Sequence, residues 1–321
     1  MLQVSYNDIL RAHRRIKAEI THTPTIHSEP LSVAADADVW LKLENLQRTG
    51  SFKIRGALNK LFTLSDDELA KGVITASAGN HAQGVAYAAA LRHTSALIVV
   101  PTTAPETKMA GIRRYGAQLV TYGNNYDEAE QHAYELAEKL GRVFVHAFED
   151  NEIIAGQGTA ALEACLEHPD VSTVVVPAGG GGLICGVAVA AKAMNPNVRV
   201  IGIQTHASPP WYYSFKAGKL VDVEYSDSLA DGLHGGITQG NLDLALQVVD
   251  DFVLVEEPQV AEAIQWMAKE HHLMVEGSAA VGIAALLNHQ IDLSRGEKVL
   301  NIISGSNIDL AKFARLVTQQ Q

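Results

Sequence analysis

Ser51-Phe52-Lys53-Ile54-Arg55-Gly56-Ala57 sets a lysine in apolar surroundings between a predicted strand, Val39-Trp40-Leu41-Lys42-Leu43, and a predicted helix from Arg55 to Leu64. Glu44 to Gly50 is the turn that joins them. A lysine amine attacks a carbonyl only when deprotonated, and burial between Phe52 and Ile54 lowers its pKa by disfavouring the charged form. Lys53 is thereby a candidate for Schiff-base chemistry. The heptapeptide alone is also readable as a solvated amine at a helix start, one of 25 lysines and arginines in the chain.

Two further stretches supply what a phosphorylated aldehyde needs. In Thr173-Val174-Val175-Val176-Pro177-Ala178-Gly179-Gly180-Gly181-Gly182-Leu183, an apolar strand runs into four glycines and then a helix. Without side chains, successive backbone N–H groups can close on a phosphate at the helix start. No register gives the dinucleotide pattern G-x-G-x-x-G, and Val187-Ala188 stands where a P-loop requires Lys-Ser/Thr. The second stretch, Ser77-Ala78-Gly79-Asn80-His81, follows the strand Val73-Ile74-Thr75-Ala76 and precedes a predicted helix from Ala82 to Leu91. Small residues and free N–H groups there suit a carboxylate, and Asn80 can donate to a ring hydroxyl. His81 by itself says little, as one of 13 histidines.

With Ser304-Gly305-Ser306-Asn307, these motifs stand in the order found in the serine/threonine dehydratases, and from about Ser5 to its end the chain resembles that family. The resemblance implies a two-lobed α/β fold of the fold type II pyridoxal phosphate enzymes, each lobe a mainly parallel sheet flanked by helices. It places the larger lobe at 1–65 and 149–321 and a smaller inserted lobe at 66–148. It further implies pyridoxal 5'-phosphate bound to Lys53 as a Schiff base, with Phe52 beside the ring and Asn80 on its 3-hydroxyl. Gly179, Gly180, Gly181, Gly182 and Leu183 would hold the phosphate, and Ser304 the pyridine nitrogen. Ser77, Gly79, Asn80 and His81 match the loop that takes the substrate carboxylate. Glu276 and Asp231 also match family segments, although a helix-start carboxylate and a turn aspartate explain them equally well.

The reaction implied is dehydration and deamination of L-threonine or L-serine to 2-oxobutanoate or pyruvate plus ammonia. Lys53 would remove the α-proton, and the cofactor phosphate would protonate the departing hydroxyl. A serine at the ring nitrogen, where a carboxylate would hold the ring protonated, makes a weaker electron sink and favours prompt loss of a β-substituent. Serine racemases and 3-hydroxyaspartate dehydratases carry a serine where Ala78 stands, and a methyl group relays no proton. Gln204 and Pro210 occupy positions where some relatives place acidic metal ligands, so no metal is expected there. The chain continues only from 309 to 321 after that segment, as a helix and tail, so an appended regulatory domain is not expected. An amino-acid-binding module without turnover is the remaining alternative, and it would have no need of the lysine.

The 321 residues favour two lobes over a single core. A net charge of −11 argues against nucleic acid as a partner. Cys165 and Cys185 have neither metal nor redox spacing, which fits a reducing cytoplasm. Basic Arg11, Arg14 and Arg15 within a helical pattern capped near Ser5 are wrong for a signal peptide. No charge occurs from Val171 to Ala191, but Pro177 and the glycines divide that run into a buried strand, a loop and a buried helix, so no membrane span is expected. Strands near Val73, Ala96 to Val100, Gln118 to Val120 and Val143 to Val145 alternate with helices, the pattern of a covered parallel sheet. Pro209 to Phe215, rich in aromatic residues, reads as a loop packed on its own protein or on a partner. By resemblance the partner is a second copy, in a homodimer or homotetramer.

Overall fold

Short, continuously apolar strands are stable only when both faces are covered, and the inner strands Val73–Ala76, Ala96–Val100 and Thr173–Pro177 are buried throughout. The computed structural model describes residues 2–318. Its strands are β1 (Thr25–His27), β2 (Asp38–Leu43), β3 (Val73–Ala76), β4 (Ala96–Val100), β5 (Gln118–Thr121), β6 (Val143–Phe144), β7 (Thr173–Pro177), β8 (Arg199–Thr205), β9 (Asp251–Val255) and β10 (Lys298–Ile303). One sheet has the order β1-β2-β10-β7-β8-β9 and the other β5-β4-β3-β6. All pairings are parallel except β1 with β2.

The six-stranded sheet divides two apolar cores by the alternation of its side chains. Val174, Val176, Leu300 and Ile302 face one, while Val175, Val299, Ile303 and Leu41 face the other. The helices Asn151–Glu167 and Gly182–Met194 contribute to the first core and Lys53–Thr63 packs on the former, all so closely that glycine is required at the crossings. A Cβ on Gly156 would lie 2.6 Å from the Gly56 Cα, and one on Gly186 would lie 2.3 Å from the Ile154 carbonyl. The middle helix thus fixes the starts of the other two, which bear Lys53 and the glycine loop.

A buried ion cluster ties the same helices to β2. Arg55 donates to Glu44 at 2.7 and 2.8 Å and to Glu163 at 2.8 Å through each of two nitrogens, and Lys42 reaches Glu163 at 2.8 Å. All four side chains are buried, and two cations balance two carboxylates.

The predicted strands and the Ser5 cap of the first helix are present, the latter as a reciprocal box with Asp8. Pro209 to Phe215 differs from expectation: Pro210–Ala217 is a helix, entered through a proline at its first turn. Trp211 is buried in it against Phe252. The final helix is Leu310–Thr318, and the tail expected at 319–321 lies outside the described residues. No described helix is long and apolar enough to cross a membrane.

Candidate active site

Neighbouring parallel strands end on the same edge of a sheet, so whatever follows them is brought together. Ile303 of β10 is in register with Leu43 of β2, and Asn301 with Val175 of β7. Past these ends come the Lys53 turn, Ser304 and the glycine loop. Beyond the parallel pairing, Ser51 and Gly305 form an isolated antiparallel bridge, and the Phe52 N–H donates to the Ser304 carbonyl at 3.0 Å. The buried Ser304 is thereby locked beside the residue preceding the lysine.

The carboxyl edge of the four-stranded sheet meets this one. Asn80 opens the helix Asn80–Leu91 after β3, and its Nδ2 donates to Glu276 Oε1 at 2.7 Å. After β6 comes His146-Ala147-Phe148, where the Ala147 carbonyl accepts from Lys53 Nζ at 3.0 Å. Phe148 covers the glycine loop: a Cβ on Gly180 would sit 2.2 Å from its ring. Lys53, Asn80, Ser304 and the loop Gly179 to Leu183 are therefore brought together at the cleft where the two sheet edges meet, and Ser77 and Gly79 lie in the turn that leads from β3 to Asn80.

Lys53 is half-buried. Burial lowers its pKa to about 8, against the opposing pull of the Glu276 carboxylate. Two histidines near it are neutral. Burial, then the Lys53 charge, depresses His81 to about 3 and His146 to about 4. Neither adds positive charge that would compete with an anionic ligand. Burial and the Asp231 charge raise Glu276 to about 7, offset in part by the hydrogen bond from Asn80.

The helices starting at Lys53, Asn80, Gly182 and Gly277 have no side-chain cap, whereas those starting after Ser5, Ser28, Ser65, Asn125, Asp150 and Thr238 are capped by those residues. The amides of an uncapped first turn have no intrahelical acceptor and remain open to a ligand. At Gly181, φ is +104°, which turns the loop into the helix start; Trp211 Nε1 donates to the Gly179 carbonyl and Asn241 Nδ2 to that of Gly180 at 2.8 Å. With these carbonyls tied back, the loop is held in one conformation, and its amides are the groups that could receive a phosphate. A Cβ built on Gly79 meets nothing within 4 Å, so there is space beside the second uncapped start for a carboxylate. A phosphorylated pyridine aldehyde fits this donor set.

His81 turns its side chain away from the loop it ends: its Nε2 lies 3.1 Å from the Val145 carbonyl, and the ring is buried. Gln204 is likewise engaged, accepting from the Trp211 amide at 2.9 Å and donating to the Ala178 carbonyl at 3.1 Å. No cluster of three or more His, Cys, Asp or Glu suited to a metal occurs among the described residues.

Several site residues were not singled out in the sequence. Ala147 and Phe148 contribute backbone and packing, which leave no chemical signature, and Trp211, noted only within an aromatic stretch, donates from its ring to the glycine loop. Lys108 pairs with Asp231 at 2.7 Å, joining the helix Glu106–Arg113 to the turn Asp231–Leu233 across the cleft. Asn307, quoted only as part of a motif, donates to Asn80 Oδ1 at 2.7 Å.

The sequence pattern that describes pyridoxal-phosphate dependent enzymes matches residues 16–305. An L-threonine ammonia-lyase of Thermotoga maritima is 45% identical over 320 residues, covering 98% of this chain and 79% of that one. The catabolic L-threonine dehydratase of Escherichia coli is 40% identical over 318 residues, covering 98% and 96%. The structure of maize serine racemase superposes with a TM-score of 0.94 at 33% identity, covering 97% of this chain and 96% of that one. With a family match over residues 16–305 that spans Lys53, the glycine loop and both sheets, and relatives at 45% and 40% identity over 98% of its length, the chain belongs to the pyridoxal-phosphate dependent enzymes.

Proposed function

We propose that this protein dehydrates and deaminates L-threonine, L-serine or both, releasing ammonia with 2-oxobutanoate or pyruvate. The observation that carries this reading is the Lys53 amine, half-buried with a pKa near 8, set between two uncapped helix starts that can take a phosphate and a carboxylate. The relatives named for threonine cleavage support it at 45% and 40% identity.

Bound at Lys53, pyridoxal phosphate supplies an electron sink for the bond broken at the substrate Cα. The amides of Gly179 to Leu183 would hold its phosphate, Phe52 would lie beside the ring, Asn80 would donate to the ring hydroxyl and Ser304 would meet the ring nitrogen. The Ser77 hydroxyl, which accepts from the Gly79 amide at 3.1 Å, and the amides of Asn80 and His81 would hold the substrate carboxylate. The Lys53 amine would be the base that takes the α-proton; its depressed pKa leaves it unprotonated at a useful fraction near pH 8. The neutral Ser304 leaves the ring less electron-withdrawing than a carboxylate partner would, which favours loss of the β-hydroxyl. Ala78, packed towards the Ile98 and Val100 cluster, carries no proton for the second face, and this weighs against racemisation.

The lobes are assigned as 1–65 with 149–321 and 66–148, since β3 to β6 fall wholly within the latter span. Assembly as a homodimer or homotetramer in the cytoplasm completes the reading.

The test is release of oxo acid and ammonia from L-threonine, L-serine, D-serine and threo-3-hydroxyaspartate, with D-serine formation followed in parallel. Turnover of L-threonine or L-serine, lost in Lys53→Ala, is expected. D-serine formed from L-serine without oxo acid would replace the lyase by a racemase.

A further inference from the structure

Asn80 is held by a hydrogen-bonded chain whose direction is set at both ends. At one end is the Thr49 carbonyl, which can only accept. Asn307 Nδ2 donates to it at 2.8 Å, so the nitrogen of the Asn307 amide must face this side. The same nitrogen is 2.7 Å from Asn80 Oδ1, which takes its second hydrogen. The Asn80 amide is thus oriented with its oxygen towards Asn307 and its nitrogen towards Glu276, where Nδ2 donates to Oε1 at 2.7 Å. Glu276 is buried, and its carboxyl also meets the backbone N–H of Asn307. Its own N–H donates to the Gly305 carbonyl at 3.1 Å.

Counting donors shows what remains. An asparagine amide has two N–H groups and one oxygen. One N–H of Asn80 is given to Glu276 and the oxygen is occupied by Asn307, so one N–H is left. Two glycines make room for the chain. A Cβ on Gly50, where φ is +72°, would stand 2.6 Å from Asn307 Oδ1, and one on Gly305 would stand 2.4 Å from Glu276 Oε1. The chain also crosses the cleft, since Asn80 begins the helix after β3 while Glu276 and Asn307 adjoin the six-stranded sheet, 196 and 227 residues away.

We propose that Glu276 and Asn307 are positioning residues that fix the orientation of the Asn80 amide, so that its remaining N–H is presented to the hydroxyl of the cofactor ring. This rests on the reading of Asn80 as a partner of that hydroxyl. Were the amide free to turn, its oxygen would face the ring hydroxyl for part of the time, and a charge-assisted hydrogen bond to an ionised hydroxyl would be exchanged for a repulsion.

The measurement uses the cofactor-loaded protein without substrate, reading its affinity for pyridoxal phosphate and the ratio of the visible to the near-ultraviolet absorption band. Asn80→Ala should shift the band ratio and weaken the affinity roughly tenfold, as expected for a lost hydrogen bond to a charged group. Asn307→Asp cannot donate to Asn80 Oδ1 and should shift the bands in the same direction. Glu276→Gln retains an acceptor for Asn80 and should leave the ratio near that of the wild type, while Glu276→Ala should move it. The decisive comparison is Asn307→Asp in the Asn80→Ala background. No further change in band ratio is expected there, because Asn307 acts only through Asn80. A full additional shift in the double variant would overturn the proposal while leaving Asn80 as the cofactor partner. An unchanged spectrum and affinity in Asn80→Ala would remove the reading of Asn80 itself.

Discussion

Lys53 holds its proton weakly because burial outweighs the attraction of Glu276. The rate at which cofactor-free protein takes up pyridoxal phosphate should therefore rise with pH through a midpoint near 8 and level off above it, followed by absorbance. Glu276→Gln removes the charge that raises the Lys53 pKa, so its midpoint should fall below that of the wild type. A midpoint near the ordinary lysine value of 10.5 would contradict the burial on which this rests. Glu276 itself has a raised pKa, so it favours the folded state at low pH and costs stability as pH rises from the unfolded value of 4.5 through about 7. Glu276→Gln should accordingly raise the Tm of the cofactor-free protein at pH 8 and leave it nearly unchanged at pH 4. At this scale the sequence announces Lys53 by its apolar neighbours and Asn80 by its place at a helix start. It conceals Glu276, which looks like a cap but whose carboxyl accepts from a residue 196 positions away. His81 is the reverse case: it stands in the motif, yet its ring is committed to the Val145 carbonyl.

The helices that carry the site are aligned by contacts far from it. Arg55, two residues after the lysine, is buried between Glu44 and Glu163. Arg55→Met would leave two buried carboxylates with only Lys42 as counter-charge. A loss of about 3 to 5 kcal/mol is expected in urea titration, since breaking a buried pair strands its partner. A change below about 1 kcal/mol would mean that the cluster relaxes or hydrates at little cost. The elements themselves were largely readable, because the apolar runs of β4, β7 and β10 are too short for helices and too continuous for half-exposed strands. The helix Pro210–Ala217 was not, as Pro209-Pro210 reads as a loop signal. In the folded chain Gln204 accepts from the amides of Trp211 and Tyr212, satisfying helix-start donors that no local side chain caps. The close crossings at Gly156 and Gly186 were equally hidden, because a glycine in a helix does not name the helix it will touch.

The four-stranded parallel sheet and the mainly parallel six-stranded sheet meet at their strand ends across a cleft, where Lys53, Asn80, Ser304 and the glycine loop come together, while Arg55 and the His81 ring are committed elsewhere. The order of the motifs along the chain made the fold class legible, since β2, β10 and β7 are neighbours in the sheet although far apart in sequence. What joins the sheets across the cleft was not legible. Lys108 with Asp231, Asn80 with Glu276 and Asn307, and Lys53 with the Ala147 carbonyl are pairings between ordinary polar groups, defined only by the packing of one sheet edge against the other. The central claim is that this cleft binds pyridoxal phosphate through Lys53. Reduction of the cofactor-loaded protein with borohydride, followed by digestion and mass spectrometry, tests it directly. The expected result is a single pyridoxyl-modified peptide containing Lys53, with none in Lys53→Ala; modification at another lysine, or a loaded protein that carries no label after reduction, would contradict it.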